Sequence, residues 1–168
     1  VGNLIKIKGF EYLIEAISLL PVQYSDVILF IDGAGHLEFK LNHLIKKYGL
    51  EERIFLVGPR PHNEIAKWMN SADLFVISSR KEGAPVVLLE SLGCGVPVVG
   101  TKVGIVEETL QSPTYGYVCK PKNANDLKKA ILKSLSKDWK KKEISEYAKN
   151  FTWVKAVEKN LEIYKEII

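Results

Sequence analysis

The chain has 168 residues, of which 46% are hydrophobic and 26% charged, as expected for one soluble globular domain. No apolar run reaches the ~20 residues that a membrane-spanning helix needs. The net charge of +4 is uneven, because residues 120–168 hold 13 Lys and 7 acidic residues. This basic tail is interpreted as a solvated helical face, with a membrane contact as the alternative. It lacks the interleaved aromatic residues that bind single-stranded nucleic acid, so no nucleic-acid partner is expected.

Helical patterns alternate with short apolar runs along the chain. In the first helix Phe10, Leu13 and Ile17 recur on one face, and Pro21 should end it. The predicted helices are residues 10–20, 36–50, 62–72, 85–93, 105–110, 123–137, 145–150 and 151–168. The predicted strands are residues 26–31, 53–58, 73–79, 96–101 and 115–120, with residues 1–5 as the end of a sixth.

Helix ends carry recognisable signals. Gly49 is the expected C-terminal cap of the second helix, and His62 or Asn63 the N-cap of the third. The helix beginning near residue 123 should be capped by Asn or Asp. The last helix has a narrow apolar seam with alternating steps of three and four, formed by Val154, Val157, Leu161, Tyr164 and Ile168.

The strands are apolar throughout, which is typical of parallel sheets covered on both faces. Strand–helix alternation with short connections indicates right-handed βαβ units. The sequence therefore predicts an α/β fold with a doubly wound, mostly parallel sheet of about six strands, as one domain over residues 1–168. In such sheets ligands bind beyond the carboxyl ends of the strands, so the loops at that edge are the candidates for a site.

Two glycine-containing loops come first. In GNLIKIKG, Gly2 permits a close backbone approach, and Lys8 begins a helix whose dipole favours an anion, but this loop alone favours a surface lysine beside a turn glycine. In DGAGHLE, Gly33 and Gly35 follow a strand, but Glu38 stands where the dinucleotide fingerprint needs a third glycine. A nicotinamide cofactor is therefore disfavoured, and a tight turn is expected.

The third loop, VGPRPHNE, is stiffened by its prolines. The rigid backbone edge at Gly58 and Pro59 can hydrogen-bond a base, and Arg60 can reach a phosphate or stack on a ring. The three histidines of the chain are scattered without metal spacing, and the two cysteines, Cys94 and Cys119, are too few for a zinc site. No metal is expected.

The fourth loop, KEGAPVVLLE, places two acids around a helix start. Pro85 is a favoured first helical residue, so free N–H groups near Val86 and Val87 can bind an anion. Glu82 precedes this helix and Glu90 lies further along it, where a carboxylate can accept hydrogen bonds from a ribose diol. The structural alternative, with Glu90 paired to a nearby lysine or a backbone group and Glu82 a solvated loop acid, is equally supported by this stretch alone.

Together these motifs resemble the C-terminal half of the GT-B retaining glycosyltransferases of family 4 (glycosyl transferases group 1). The similarity covers nearly the whole chain, and its most specific part is the Glu82-x7-Glu90 spacing followed by GCGVPVVGT. The resemblance implies a Rossmann-like domain that binds a nucleoside diphosphate sugar as substrate, without a cofactor. The implied donor site consists of Gly2, Asn3, Lys8, Gly58, Pro59, Arg60, Glu82, Gly83, Ala84, Pro85, Val86, Val87 and Glu90.

The resemblance also implies individual roles. Glu82 and Lys8 are the implied catalytic residues, Glu82 at the sugar hydroxyls and Lys8 at the diphosphate. Glu90 would hold the ribose, and the segment from Gly83 to Val87 would offer backbone N–H groups. The chain departs from the family at Asn3, where Arg is usual. Arg60, Arg80 or Lys81 are suggested to compensate for the charge of that missing arginine. Ala84 is another departure, because the family often has a bulky residue there.

The implied reaction is glycosyl transfer with retention of anomeric configuration to a saccharide or lipid-linked acceptor. Because the chain does not begin with Met and opens on a strand-like end, we expect a fragment whose N-terminal acceptor domain is missing. Such a fragment should bind nucleotide without turnover, and its last helix could self-associate. A cytoplasmic location, at most peripheral at the inner membrane face, is expected.

Two alternatives from other functional classes remain. A nucleotide-sugar epimerase or hydrolase of the same architecture would need a further general acid or base, and no such residue stands out. A non-catalytic α/β binding module would use both glutamates only structurally.

Overall fold

A computed structural model of the chain describes residues 1–167, apart from the side chains of Lys159, Glu166 and Ile167. Five strands and eight α-helices lie within these residues. In chain order they are α1 Phe10–Ser18, β1 Leu29–Asp32, α2 Glu38–Lys47, β2 Ile54–Gly58, α3 His62–Asn70, β3 Phe75–Ile77, α4 Val86–Gly93, β4 Val98–Thr101, α5 Val106–Thr109, β5 Gly116–Cys119, α6 Ala124–Leu135, α7 Lys141–Ala148 and α8 Trp153–Ile167.

The strands form two parallel sheets, one of β1 and β2 and one in the order β3-β4-β5. The parallel α/β fold is therefore confirmed, with five strands in the described part of the chain instead of about six. Residues 1–5 do not form a strand. Gly2 donates to the Asp32 carbonyl at 2.9 Å and Leu4 to the Ala34 carbonyl at 2.8 Å, so this segment pairs only with the end of β1 and the turn beyond it.

The hydrophobic core lies on both faces of the β3-β4-β5 sheet. Successive residues of a strand point to opposite faces, and Val98 and Val99 of β4 accordingly belong to two different buried clusters. The cluster around Val99 includes residues of α1, α2 and α6, whereas the cluster around Val98 includes residues of α3, α4, α5 and α7. Helices therefore cover both faces, as predicted for a doubly wound sheet.

The first sheet departs from this prediction, because one face of it is only partly covered. Phe30 of β1 is 49% exposed, although the apolar run was expected to be buried on both sides. Phe30 stacks on Phe55 at 5.6 Å between ring centroids and meets the edge of Trp68 at 5.3 Å. Aromatic neighbours therefore shield this face only in part.

Several predicted helix ends need correction. Pro85 was predicted to be the first residue of α4, but it is the N-cap and the helix begins at Val86. The N-cap of α3 is Pro61 and not His62 or Asn63. Helix α7 begins at Lys141 instead of residue 145, because buried Ile144 anchors its first turn. The cap of α6 is confirmed, since the Asn123 side chain accepts from the Asp126 N–H at 2.9 Å.

Helix α8 carries the predicted apolar seam on its surface. Val154, Val157, Leu161 and Tyr164 are all exposed, whereas Ile168, the last predicted member, lies outside the described residues. None of the described helices combines the length and apolarity that crossing a membrane requires.

Candidate functional site

The centre of the candidate site is an ion pair between two loops at the carboxyl edge of the sheets. The Lys8 ammonium lies 2.7 Å from Glu82 Oε1, and the two side chains are 25% and 15% exposed. Lys8 precedes α1, whereas Glu82 follows β3, 74 residues further along the chain. The structure therefore brings together the two residues that the resemblance assigned to catalysis.

Backbone contacts fix the loop that carries Lys8. Residues 6–8 form a short 3-10 helix that ends at Gly9, whose φ of 63° is left-handed. The Arg80 N–H donates to the Ile7 carbonyl at 2.7 Å, and the Ser78 hydroxyl donates to the Lys8 carbonyl at 2.9 Å. A Cβ on Gly9 would stand 2.3 Å from the Ser78 carbonyl oxygen, so only glycine allows this approach.

The glycines of the second loop allow the first loop to pack closely against it. A Cβ on Gly33 would lie 2.0 Å from the Gly2 carbonyl oxygen, and one on Gly35 2.5 Å from the Leu4 carbonyl oxygen. The first loop therefore packs directly against the backbone of this second loop. The Leu37 N–H also donates to the Leu4 carbonyl, at 3.1 Å.

Ser79 is a residue of the site that the sequence analysis missed. Its hydroxyl donates to Glu82 Oε1 at 2.7 Å, on the same oxygen that accepts from Lys8. Its carbonyl accepts from Thr101 Oγ1 of β4 at 2.6 Å. Glu82 is therefore anchored and is not the solvated loop acid of the structural alternative. A hydroxyl two residues after the end of β3 and three residues before Glu82 was the signal available in the sequence.

The segment after Glu82 is held from the other side by the turn before α5. The Ile105 N–H donates to the Gly83 carbonyl at 3.0 Å. Gly104, with a left-handed φ of 50°, lies so close that a Cβ would be 1.8 Å from the same oxygen. The backbone of the Glu82–Gly83 segment is therefore fixed by two neighbours.

Helix α4 begins directly beyond this segment. Val86 and Val87 are its first two residues, so their N–H groups have no acceptor within the helix. Pro85 is buried, Ala84 is exposed, and the side chain of Val87 lines the same cleft as Lys8 and Glu82. An anion in this cleft would meet both a lysine and the positive end of a helix dipole.

Glu90 lies further along α4 and does not line the cleft around Lys8 and Glu82. Its side chain is half-buried and makes no hydrogen bond or ion pair with the described residues. The predicted alternative, a Glu90 paired with lysine, is therefore not observed. Its carboxylate raises the pKa of Cys94, although burial is the larger cause.

The third loop lies beside the first two. Gly58 has a left-handed φ of 70°, and its carbonyl accepts from the Gly33 N–H at 3.2 Å. Pro59 and Arg60 are exposed, and the Arg60 guanidinium lies 5.6 Å from the centre of the Trp68 ring. The base-binding role of this loop stays a prediction.

Asn3, which stands where the family has arginine, and the residues suggested to compensate for it lie in different surroundings. Asn3 is exposed, as is Lys81. Arg80 lies 3.9 Å from Glu11 of α1, so its charge is directed toward that helix. Lys8 is the cation that contacts Glu82 in the described part of the molecule.

Asp32, at the carboxyl end of β1, is a second residue that the sequence analysis passed over. It is buried, and its Oδ2 has no hydrogen-bond partner among the described residues. Burial raises the pKa of this carboxyl, while Arg60 lowers it in part. An acid at the end of a strand was visible in the sequence, but its burial was not.

Comparison with known proteins adds independent information. An uncharacterized glycosyltransferase of Methanocaldococcus jannaschii is 30% identical over an alignment of 171 positions, which covers 99% of this chain and 47% of that protein. A D-inositol 3-phosphate glycosyltransferase of Paenarthrobacter aurescens is 28% identical, with 99% of this chain and 43% of that protein covered. The chain thus spans less than half of each of these relatives.

Solved structures show the same architecture. Anabaena HepE in complex with UDP superposes with a TM-score of 0.80 at 25% identity, over 99% of this chain and 46% of that one. The C-terminal domain of a glycosyl transferase group 1 family protein of Francisella tularensis has a TM-score of 0.70 at 28% identity, over 89% of this chain and 78% of that one.

The sequence profile of the family Glycosyl transferases group 1 matches residues 1–151, which is most of the chain. The loops that carry Lys8 and Glu82, and helix α4 that carries Glu90, all lie within the matched range. This chain therefore belongs to the glycosyl transferases group 1 family.

Proposed function

We propose that this chain is the C-terminal, donor-binding domain of a retaining glycosyltransferase of family 4. It would bind a nucleoside diphosphate sugar and transfer the sugar to an acceptor held by an N-terminal domain. The observation that carries the proposal is the Lys8–Glu82 pair at 2.7 Å, positioned beside the start of α4. The cation and the free helix N–H groups suit the diphosphate of such a donor, and the carboxylate suits its sugar.

Each part of the donor has a proposed partner. Lys8 and the N–H groups of Val86 and Val87 would bind the diphosphate, and Glu82 would accept hydrogen bonds from sugar hydroxyls. Glu90, which has no partner in the described structure, would hold the ribose. The base would lie on the exposed edge formed by Gly58, Pro59 and Arg60.

The chemistry follows from these contacts. In glycosyl transfer the bond from the sugar to the diphosphate breaks, and negative charge develops on the leaving oxygen. A lysine and a helix N-terminus stabilise that charge in a fixed geometry, and they lower the barrier because they are already oriented before the reaction. The proposal assigns this task to Lys8 and α4, with no metal in the mechanism.

The relatives support the proposed division into two domains. The chain covers 47% of the archaeal relative and 43% of the bacterial one, so each has room for a further domain. The Francisella structure that it matches over most of both chains is described as a C-terminal domain. The UDP bound to the Anabaena protein supports a nucleotide as the ligand.

Isothermal titration calorimetry with UDP, GDP and ADP, each with and without an attached sugar, tests this function. We expect one base to bind, with no turnover by this chain alone. Lys8→Ala should weaken diphosphate binding by roughly 1.5–3 kcal/mol, as for a charged hydrogen-bond donor. Lys6→Ala, which removes an exposed lysine from the same 3-10 turn, is the matched control. A folded chain that binds none of the nucleotides would contradict the proposal.

We propose two further features of the chain, its location and its self-association. Both cysteines are free thiols, which fits a reducing cytoplasm, and the basic tail could contact an anionic inner membrane face. The exposed seam of α8 is proposed to mediate self-association. Flotation with anionic vesicles and analytical ultracentrifugation test these two features separately.

A further inference from the structure

The two oxygens of the Glu82 carboxylate have different surroundings. Oε1 accepts two hydrogen bonds of 2.7 Å, one from Lys8 Nζ and one from Ser79 Oγ. No hydrogen bond from the described residues reaches Oε2. The carboxylate is therefore held by one oxygen and presents the other.

The two donors to Oε1 differ in how firmly they are held. Ser79 is 2% exposed, lies two residues after the end of β3, and accepts a hydrogen bond at its carbonyl from buried Thr101 of β4. Lys8 is 25% exposed and reaches Glu82 through a long flexible side chain. A ligand anion can therefore attract the lysine away from Glu82, whereas the serine hydroxyl remains in place.

We infer that Ser79 is a positioning residue that orients Glu82 toward the donor sugar, an inference that rests on the proposed function. When the diphosphate attracts Lys8, Ser79 is the remaining protein partner of Oε1. The hydrogen bond from Ser79 then keeps the carboxylate plane fixed, so that Oε2 faces the sugar hydroxyls. Without it the carboxylate is free to rotate, and part of the sugar's binding energy is spent on ordering Glu82.

This role predicts an effect on the sugar part of the ligand alone. Calorimetry compares UDP with UDP-glucose, GDP with GDP-mannose and ADP with ADP-glucose, using the pair that the wild-type chain binds. Ser79→Ala should weaken the sugar nucleotide about tenfold, whereas the affinity for the diphosphate should change less than about twofold. A merely structural role of Ser79 would weaken both ligands alike.

Two further variants make the test specific. Ser91→Ala removes another buried serine, whose hydroxyl donates to the Val96 carbonyl at 3.2 Å, and should leave the ratio of the two affinities unchanged. In a Glu82→Gln background, Ser79→Ala should add no further loss for the sugar nucleotide. If Ser79→Ala does not fold, Ser79→Cys replaces it, because a thiol has nearly the size of the hydroxyl but donates weakly.

The outcomes separate the two proposals. If the wild type binds the diphosphate, but Ser79→Ala has the same ratio of sugar-nucleotide affinity to diphosphate affinity as the wild type, the positioning role is overturned and the proposed function stays intact. This holds whether Ser79→Ala weakens neither ligand or both ligands equally. Failure of the wild type to bind any of the nucleotides overturns the proposed function, and this inference with it.

Discussion

The two glutamates of the Glu82-x7-Glu90 motif are held in different ways. Glu82 is tied by Lys8 and Ser79 before any ligand arrives, so its position is set by the protein. Glu90 is half-buried on α4 without a hydrogen-bond partner among the described residues. A half-buried carboxylate without a protein partner gains most when a ligand supplies hydroxyl donors, as a ribose does.

Glu90→Gln is therefore predicted to weaken binding of a nucleoside diphosphate by roughly 1–3 kcal/mol, because the neutral amide accepts hydrogen bonds less strongly than the carboxylate. Calorimetry with the diphosphate alone measures the loss, since the ribose is present without the sugar. Glu52→Gln, at an exposed turn, is the control. An unchanged affinity of Glu90→Gln would remove the ribose-binding role.

At the scale of elements, the sequence predicted the eight helices, five of the six expected strands and the edge at which Lys8 and Glu82 meet. Apolar periodicity and glycine positions carry that information locally. Contacts between distant segments could not be predicted in this way. The hydrogen bond from Thr101 to the Ser79 carbonyl joins residues 22 positions apart, and the partial exposure of Phe30 depends on which side chains reach its face.

The turn before α5 is an element whose effect can be tested directly. Gly104→Ala should lower stability by roughly 1–3 kcal/mol, because alanine is strained at a left-handed φ and its Cβ would overlap the Gly83 carbonyl. Displacement of the Glu82–Gly83 segment should also weaken sugar-nucleotide binding. Urea unfolding and calorimetry measure the two effects.

Gly93→Ala provides the comparison for this variant. Gly93 lies at the end of α4, and a Cβ there would meet no atom within 4 Å. Alanine should therefore be neutral or slightly stabilising at this helical position. Equal stability and affinity of Gly104→Ala and the wild type would show that the turn does not hold the loop.

At the scale of the whole molecule, the two thiols report on different depths of the fold. Cys119 is buried in β5, and burial raises the pKa of its thiol to about 12, with a smaller contribution from Asp126. Cys94 is half-buried at the end of α4. Because the thiolate is the reactive form, Cys119 should react only when the core opens.

A thiol reagent at pH 8 should accordingly label Cys94 first and Cys119 at a rate that rises with urea. The Cys94→Ser variant isolates the slow thiol.

The raised pKa also means that the native state keeps the Cys119 proton above pH 9, where the unfolded chain releases it. The contribution of this thiol to stability should therefore decline as the pH rises from about 9 toward 12. Rapid labelling of Cys119 without urea would contradict the buried site.

The loop that carries Lys8 also joins two parts of the molecule that share no ladder of strand hydrogen bonds. Its start is bonded to Asp32 and Ala34 at the end of the first sheet, and its end to Ser78 and Arg80 beyond the second. A ligand that attracts Lys8 therefore acts on the joint between the sheets. Binding and the cooperativity of unfolding should then be linked, so that occupancy of the site makes the two sheets melt more nearly as one unit.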